Sequence, residues 1–352
     1  MKRIVLTGGG TAGHVMPHLA LIPVLRAEGW EIFYIGTENG IERSIIEPLG
    51  IPYYSVSTGK LRRYRDARNL SDPFRVLKGV GQSISLMKKL RPNIVFSKGG
   101  FVSVPVSYGA ALCGVPVLLH ESDLSSGLAN KLCIPFARAL CTTFPETAQA
   151  IGKKAVASGT PMRPALFQGD PARARSQFGL SSGKPVLMVT GGSLGAQALN
   201  EAVRGALDAL DGFQILHLCG KGNLDPALEG RKGYVQREFL MDEMADAYAL
   251  ADVVLSRAGS NTIHELLALA KPNILVPYPA AASRGDQIQN AASFEKRGFS
   301  MVIDQSLLTA QRLTQAIKTV YAHRETYIQV MRKTPLSDGT PIVMEQIHRY
   351  AK

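Results

Sequence analysis

The residues with the most chemistry to offer in this 352-residue chain stand just after apolar runs. TGGGTAGHVMP, residues 7–17, follows Ile4-Val5-Leu6, and its Gly8, Gly10 and Gly13 fit G-x-G-x-x-G, the spacing of a dinucleotide-binding turn. A turn of this kind opens a helix, whose first N–H groups and positive dipole end hold anions. His14 comes next, near a helix start that favours the neutral imidazole, a suitable general base near pH 7. A second turn, Thr190-Gly191-Gly192-Ser193, adds a hydroxyl that could donate to a diphosphate oxygen. A third glycine pair, Gly99-Gly100, lies in FSKGGFVSVP (96–105). Taken singly, each glycine group reads equally well as a tight strand-to-helix turn. Repetition in both halves of the chain favours a ligand.

The stretch SRAGSNTIHELLALAKPNILVPYP (256–279) predicts a turn, then a helix from near Thr262 with Glu265 in its first turn. A carboxylate there can accept from both vicinal hydroxyls of a ribose, or simply suit the helix N-terminus. Spacing leaves both open. In SRGDQIQNA (283–291), Asp286, Gln287 and Asn290 offer groups for sugar hydroxyls. There is no D-x-D, no H-E-x-x-H and no His/Cys cluster, so neither a metal nor any other cofactor is expected. A P-loop and a G-x-S-x-G elbow are also missing.

Short apolar runs alternating with helical stretches must carry these turns. Strands are predicted at 3–7, 31–36, 94–97, 115–120 and 139–143, with a helix over 15–28 that kinks or ends early at Pro23. PVLMVTGGSLGAQALNEAV (185–203) then repeats the plan of RIVLTGGGTAGHVMPHLAL (3–21), followed by strands at 213–218, 253–255 and 274–276. The fold class is α/β, two doubly wound parallel-sheet halves facing a cleft, with ligands beyond the carboxyl ends of the strands. A nicotinamide-dependent oxidoreductase would need one glycine fingerprint rather than three, and would leave Glu265 and Gln287 idle.

Apolar residues form 45% and charged residues 19% of the chain, normal for a globular protein with full cores. Four cysteines without a C-x-x-C pair suit a reducing compartment. No signal peptide fits the N-terminus. The uncharged stretch 102–119 contains Pro105, Gly109, Gly114 and Pro116, and reads as loop, short helix and strand rather than a membrane span. The net charge of +12 is concentrated: residues 51–100 hold 11 Lys/Arg against 2 Asp/Glu. That asymmetry points to an anionic partner, nucleic acid or a membrane surface.

Eight stretches in order, GGGTAGHVMP, GTENGIE, KGGFVSVP, HESDLSSGLANK, GTPMR, TGGSLGAQALN, ADVVLSRAGSNTIHEL and GDQIQNA, give the whole chain a resemblance to the MurG family. These are membrane-associated N-acetylglucosaminyltransferases that make lipid II in bacterial peptidoglycan synthesis. The resemblance implies a GT-B fold, with Rossmann-like domains over 1–162 and 163–340 and a helix at about 341–352 packing back on the first. It implies inverting transfer of GlcNAc from UDP-GlcNAc to the C4 hydroxyl of lipid I, without a bound metal. An alternative is another GT-B UDP-sugar glycosyltransferase or a UDP-sugar epimerase.

Carried over by motif, His14 is the expected catalytic base. The donor side comprises Thr11, Ala12, Gly13, Asp123, Arg163, Ser193, Leu240 against the uracil, Glu265 on the ribose and Gln287, with Asp286, on the GlcNAc. The acceptor side comprises Gly99, Gly100, Phe101 and His120, and the two glycine turns of the first half, at 8–13 and 99–100, are expected to take the acceptor's diphosphate. Domain closure is expected to hinge in the 160s. Asp123 stands where some members carry Asn, and Phe101 where some carry Tyr; His18 and Pro23 are unusual in the first helix. The basic and apolar residues of 60–92, with Phe74 and Leu77 expected to be exposed, suit docking on anionic lipid at the cytoplasmic face of the membrane, with no role for nucleic acid.

Overall fold

The computed structural model describes the chain except Met1, residues 60–67, 193–194, 281–284 and 335–337, and describes only the backbone of 12 and 68–71. The chain divides into two compact units, Met1–Arg163 with Asp338–Lys352, and Pro164–Ser337.

The first unit is built on β1 (Arg3–Thr7), β2 (Glu31–Gly36), β3 (Tyr53–Ser55), β4 (Ile94–Ser97), β5 (Val117–Glu121), β6 (Ala139–Thr142) and β7 (Ala155–Ala157). They form one parallel sheet in the order β3-β2-β1-β4-β5-β6-β7. Side chains alternate across it. Ile4, Leu6, Ile32, Tyr34, Ile94, Phe96 and Leu118 face one core; Val5, Phe33, Ile35, Val95, Val117 and Leu119 face another. Both faces are covered, so the strands read as continuous apolar runs. The helix Thr340–Tyr350 packs Val343, Met344 and Ile347 into the first of these cores.

The second unit has β8 (Val186–Thr190), β9 (Gln214–Leu218), β10 (Tyr234–Arg237), β11 (Val253–Ser256), β12 (Asn273–Leu275) and β13 (Met301–Val302). Their order, β10-β9-β8-β11-β12-β13, is again wholly parallel. Both sheets therefore reverse direction beside their first strand, between β1 and β4 and between β8 and β11. That is where open α/β sheets hold ligands. The expected fold class, two doubly wound α/β units, is the one observed.

Two local expectations need correction. The first helix runs Met16–Ala27, so it does not end early at Pro23, which lies inside it. Pro23 is exposed, so the missing N–H falls on the side of the helix open to water rather than in the core. The later helix starts at Ser260 rather than near Thr262, because Gly259 in extended conformation already serves as its N-cap. Glu265 consequently lies in its second turn, beyond the first-turn positions that a helix dipole rewards. The stretch 102–119 resolves into the helix Ser103–Leu112 and the start of β5. Among the described residues no helix is long and apolar enough to cross a membrane.

Candidate functional site

In the first unit the turns leaving β1 and β4 touch. Gly100, at φ +81°, lies so close that a Cβ there would run into the Gly9 carbonyl. Gly10, at φ +88°, has the Phe101 ring where its own Cβ would be, 2.8 Å away. Glycine is required at both positions by backbone conformation and by space. Residues Ala12–His14 form a single 3-10 turn after the glycines. The Oγ1 of Thr11 lies 3.0 Å from Nδ1 of His14, and the His14 N–H donates to the Thr11 carbonyl at 3.1 Å. Thr11 and Gly13 are exposed and His14 half-buried.

Behind this surface lies a buried polar layer. Lys98, the residue before the second glycine pair, is 1% exposed and donates to Ser122 Oγ in the turn leaving β5. Burial pushes its ammonium down to about 8, while the carboxylates of Glu121 and Asp123 pull the other way. Glu121 shapes the β5 turn by accepting from the N–H groups of Asp123 (3.2 Å) and Gly127 (2.8 Å) and from Asn130 Nδ2 (2.9 Å). Asp123 is half-buried at the mouth of that turn. His120 lies inside the sheet, fully buried, with Nε2 3.0 Å from the Gly159 carbonyl. His18, also fully buried, sits 3.2 Å from the Tyr34 hydroxyl, which donates to the Gly8 carbonyl. Burial, then the charges of Lys98 and His14, lower the His18 imidazole to about 3.

In the second unit, Glu265 is half-buried and its Oε2 accepts from the Tyr248 hydroxyl at 3.2 Å. The Oε1 of Gln287, in the helix Asp286–Lys296, accepts the Tyr278 N–H at 3.1 Å. Tyr278 reaches back to the glycine turn after β8: its hydroxyl donates to the Gly195 carbonyl at 3.3 Å. Its ring lies 4.0 Å from the guanidinium of Arg257, which donates to the carbonyls of Val276 and Pro277. Burial lowers the Arg257 guanidinium from its ordinary value. Leu240 follows β10, half-buried between the exposed side chains of Phe239 and Met241. Arg163 is half-buried at the last residue before the second unit. Ser193 lies outside the described residues.

The sequence-predicted residues thus gather in two groups. Thr11, Gly13, His14, Gly99, Gly100 and Phe101 surround the reversal point of the first sheet, whereas Glu265 and Gln287 follow β11 and β12 in the second. Sequence reasoning passed over Glu42, Lys98, Tyr248, Arg257 and Tyr278, which support these groups. Glu42, Lys98, Arg257 and Tyr278 lie inside motifs already singled out. For Lys98, Arg257 and Tyr278 the signal available was a charged or aromatic residue just after an apolar strand.

The model of the glycosyltransferase family 28 N-terminal domain matches residues 4–142, and that of the family's C-terminal domain matches residues 186–346. The chain belongs to glycosyltransferase family 28. This family 28 glycosyltransferase is 54% identical over 341 residues to a protein of Lachnoclostridium phytofermentans, 96% of each chain being covered. It is 51% identical over 354 residues to one from Clostridium botulinum (strain Loch Maree / Type A3), with all of both chains covered. Both relatives are named UDP-N-acetylglucosamine--N-acetylmuramyl-(pentapeptide) pyrophosphoryl-undecaprenol N-acetylglucosamine transferase. Among solved structures, MurG of Acinetobacter baumannii superposes with a TM-score of 0.79 at 27% identity, covering 99% of this chain and 100% of that one.

Proposed function

We propose that this protein transfers GlcNAc from UDP-GlcNAc to the C4 hydroxyl of lipid I, the undecaprenyl-diphosphate-linked MurNAc-pentapeptide, with inversion, giving lipid II and UDP. The observation that carries the reading is identity above one half, end to end, with relatives named for that transfer.

In such a reaction the C4 oxygen attacks the anomeric carbon as the bond to the β-phosphate oxygen breaks. The hydroxyl proton passes to the His14 imidazole, a step for which general base catalysis typically contributes about 10²–10⁴-fold. The departing UDP gains charge, and preorganised donors stabilise it best in a site from which water is excluded. The reading gives that task to the turn after β8 with Ser193 and to Arg163. It gives the ribose to Glu265, the GlcNAc to Gln287 and Asp286, and the uracil to Leu240. Thr11, Ala12, Gly13 and Asp123 lie against the transferred sugar. Gly99, Gly100 and Phe101 receive the acceptor, with His120 behind them in the sheet.

The acceptor is a lipid, so the reading includes peripheral docking on the cytoplasmic face of the membrane. Phe74 and Leu77 support it, being 73% and 67% exposed on the helix Arg68–Leu90. Arg75, Lys78, Lys88 and Lys89 are exposed on the same helix. Each basic residue near an anionic leaflet contributes about 1 kcal/mol. The test of the reaction is mass spectrometry of a lipid I analogue incubated with UDP-GlcNAc and the protein. A gain of one N-acetylhexosamine on the muramic acid C4 oxygen is expected; an unmodified acceptor would remove the reading.

A further inference from the structure

A turn of G-x-G-x-x-G spacing looks like an anion cradle because it presents backbone N–H groups beyond a strand end. Here an oxygen anion of the protein's own is already there. Glu42, in the helix Ile41–Ile46 of the GTENGIE stretch, is fully buried. Its Oε2 accepts the Gly10 N–H at 3.3 Å. Its Oε1 accepts from Thr37 twice, from the N–H at 2.9 Å and from Oγ1 at 2.6 Å. The carboxylate lies directly under the turn: a Cβ on Gly9 would stand 2.6 Å from Oε1. Its charge also reaches Tyr34 and Tyr53, whose hydroxyls are raised first by burial and then by Glu42.

We propose that Glu42 is a positioning residue that fills the anion place of the first glycine turn, so that this turn binds no phosphate and is held rigid to present Thr11 and His14. A phosphate brought to the Gly10 N–H would compete with a carboxylate already bonded there and meet its like charge. The Thr37 bonds fasten the other side of the clamp, joining the turn after β2 to the turn after β1. The inference rests on the transferase reading and revises its acceptor side. The acceptor's diphosphate belongs to the second turn, at Gly99 and Gly100, and the first turn serves the sugar end.

The experiment compares wild type, Glu42→Gln and Thr37→Val in acceptor-dependent UDP release with a soluble lipid I analogue that keeps its diphosphate. Wild type is measured first, so that lack of transfer there removes the transferase reading before the variants are compared. Glu42→Gln preserves shape but loses the charge and one acceptor oxygen. We expect its kcat to fall by about tenfold or more while the acceptor KM stays within about twofold, the pattern of lost orientation rather than lost binding. Thr37→Val, with the carboxylate and the Gly10 bond retained, is expected to fold normally by thermal melting and show a smaller fall in kcat. A Glu42→Gln enzyme with lower acceptor KM and undiminished kcat would overturn the proposal, since it would mark the turn as a phosphate site relieved of repulsion. If Glu42→Gln fails to fold, Thr37→Val decides: unchanged kcat overturns the proposal, and a reduced kcat at unchanged acceptor KM upholds it.

Discussion

The hydroxyl oxygen of Thr11 stands 3.0 Å from Nδ1 of His14, at the exit of β1. In the tautomer that donates its Nδ1 proton to that oxygen, the contact orients the imidazole and leaves Nε2 as the proton-accepting nitrogen. A base needs both: geometry within reach of the hydroxyl and the correct nitrogen deprotonated.

His14→Ala is therefore expected to lower kcat by about 10²–10⁴-fold, the usual contribution of a general base. Calorimetric titration with UDP-GlcNAc should give nearly the wild-type affinity, because the donor is assigned mainly to the other unit. Thr11→Val, which keeps the imidazole but not its partner, should cost roughly tenfold in kcat, about the worth of one hydrogen bond. Equal turnover in His14→Ala and wild type would remove the base assignment.

Glu265 lies in the second turn of its helix and accepts from Tyr248, so its carboxylate has more to do than cap a helix. Glu265→Gln should raise the donor KM by roughly 10–100-fold, in line with losing hydrogen bonds to a charged group. Against 2′-deoxy UDP-GlcNAc the variant and wild type should differ much less. The same penalty with both donors would show that Glu265 does not meet the ribose.

Much of this architecture was legible because buried parallel strands are written as uninterrupted apolar runs. The strands around the two reversal points, β1, β2, β4, β8 and β11, stand within a residue or so of their predicted positions. The short outer strands β3, β7, β10 and β13 were missed. Tyr53–Ser55 and Met301–Val302, for example, are too short for any period to show, and pairing with a neighbour makes them strands. The site divides in the same way. Glycine turns announce themselves through spacing, but a buried carboxylate such as Glu42 looks like any acidic residue of a short helix. Lys98 looks like a solvated lysine until Ser122 and Asp123, 24 and 25 positions later, are folded against it.

Acid should weaken the fold through its buried histidines. Burial lowers His18 to about 3, and burial with the nearby Arg204 lowers His217 to about 3, against 6.5 ordinarily. Between these values the unfolded chain binds more protons than the folded one, so stability rises with pH from about 3 to 6.5 and is lost as pH falls through that window. Thermal melting should give a lower midpoint at pH 5 than at pH 7. His217→Gln, though less stable at both, should show a smaller difference between them.

Binding to vesicles containing anionic lipid should depend on Phe74 and Leu77. The double replacement by Ser removes two large apolar side chains, each worth about 1.5–3 kcal/mol when fully transferred, and should shift co-sedimentation with vesicles by at least tenfold. Turnover of a short-chain soluble acceptor should stay at the wild-type rate. Added salt should weaken wild-type binding as well, because the lysines and arginines beside those residues act through screened charge.

The most direct test of the whole account is the release of UDP from UDP-GlcNAc with and without a soluble lipid I analogue. The account predicts release that requires the acceptor and matches, mole for mole, the disaccharide product. Release that is indifferent to the acceptor, or donor binding with no release in its presence, would contradict it.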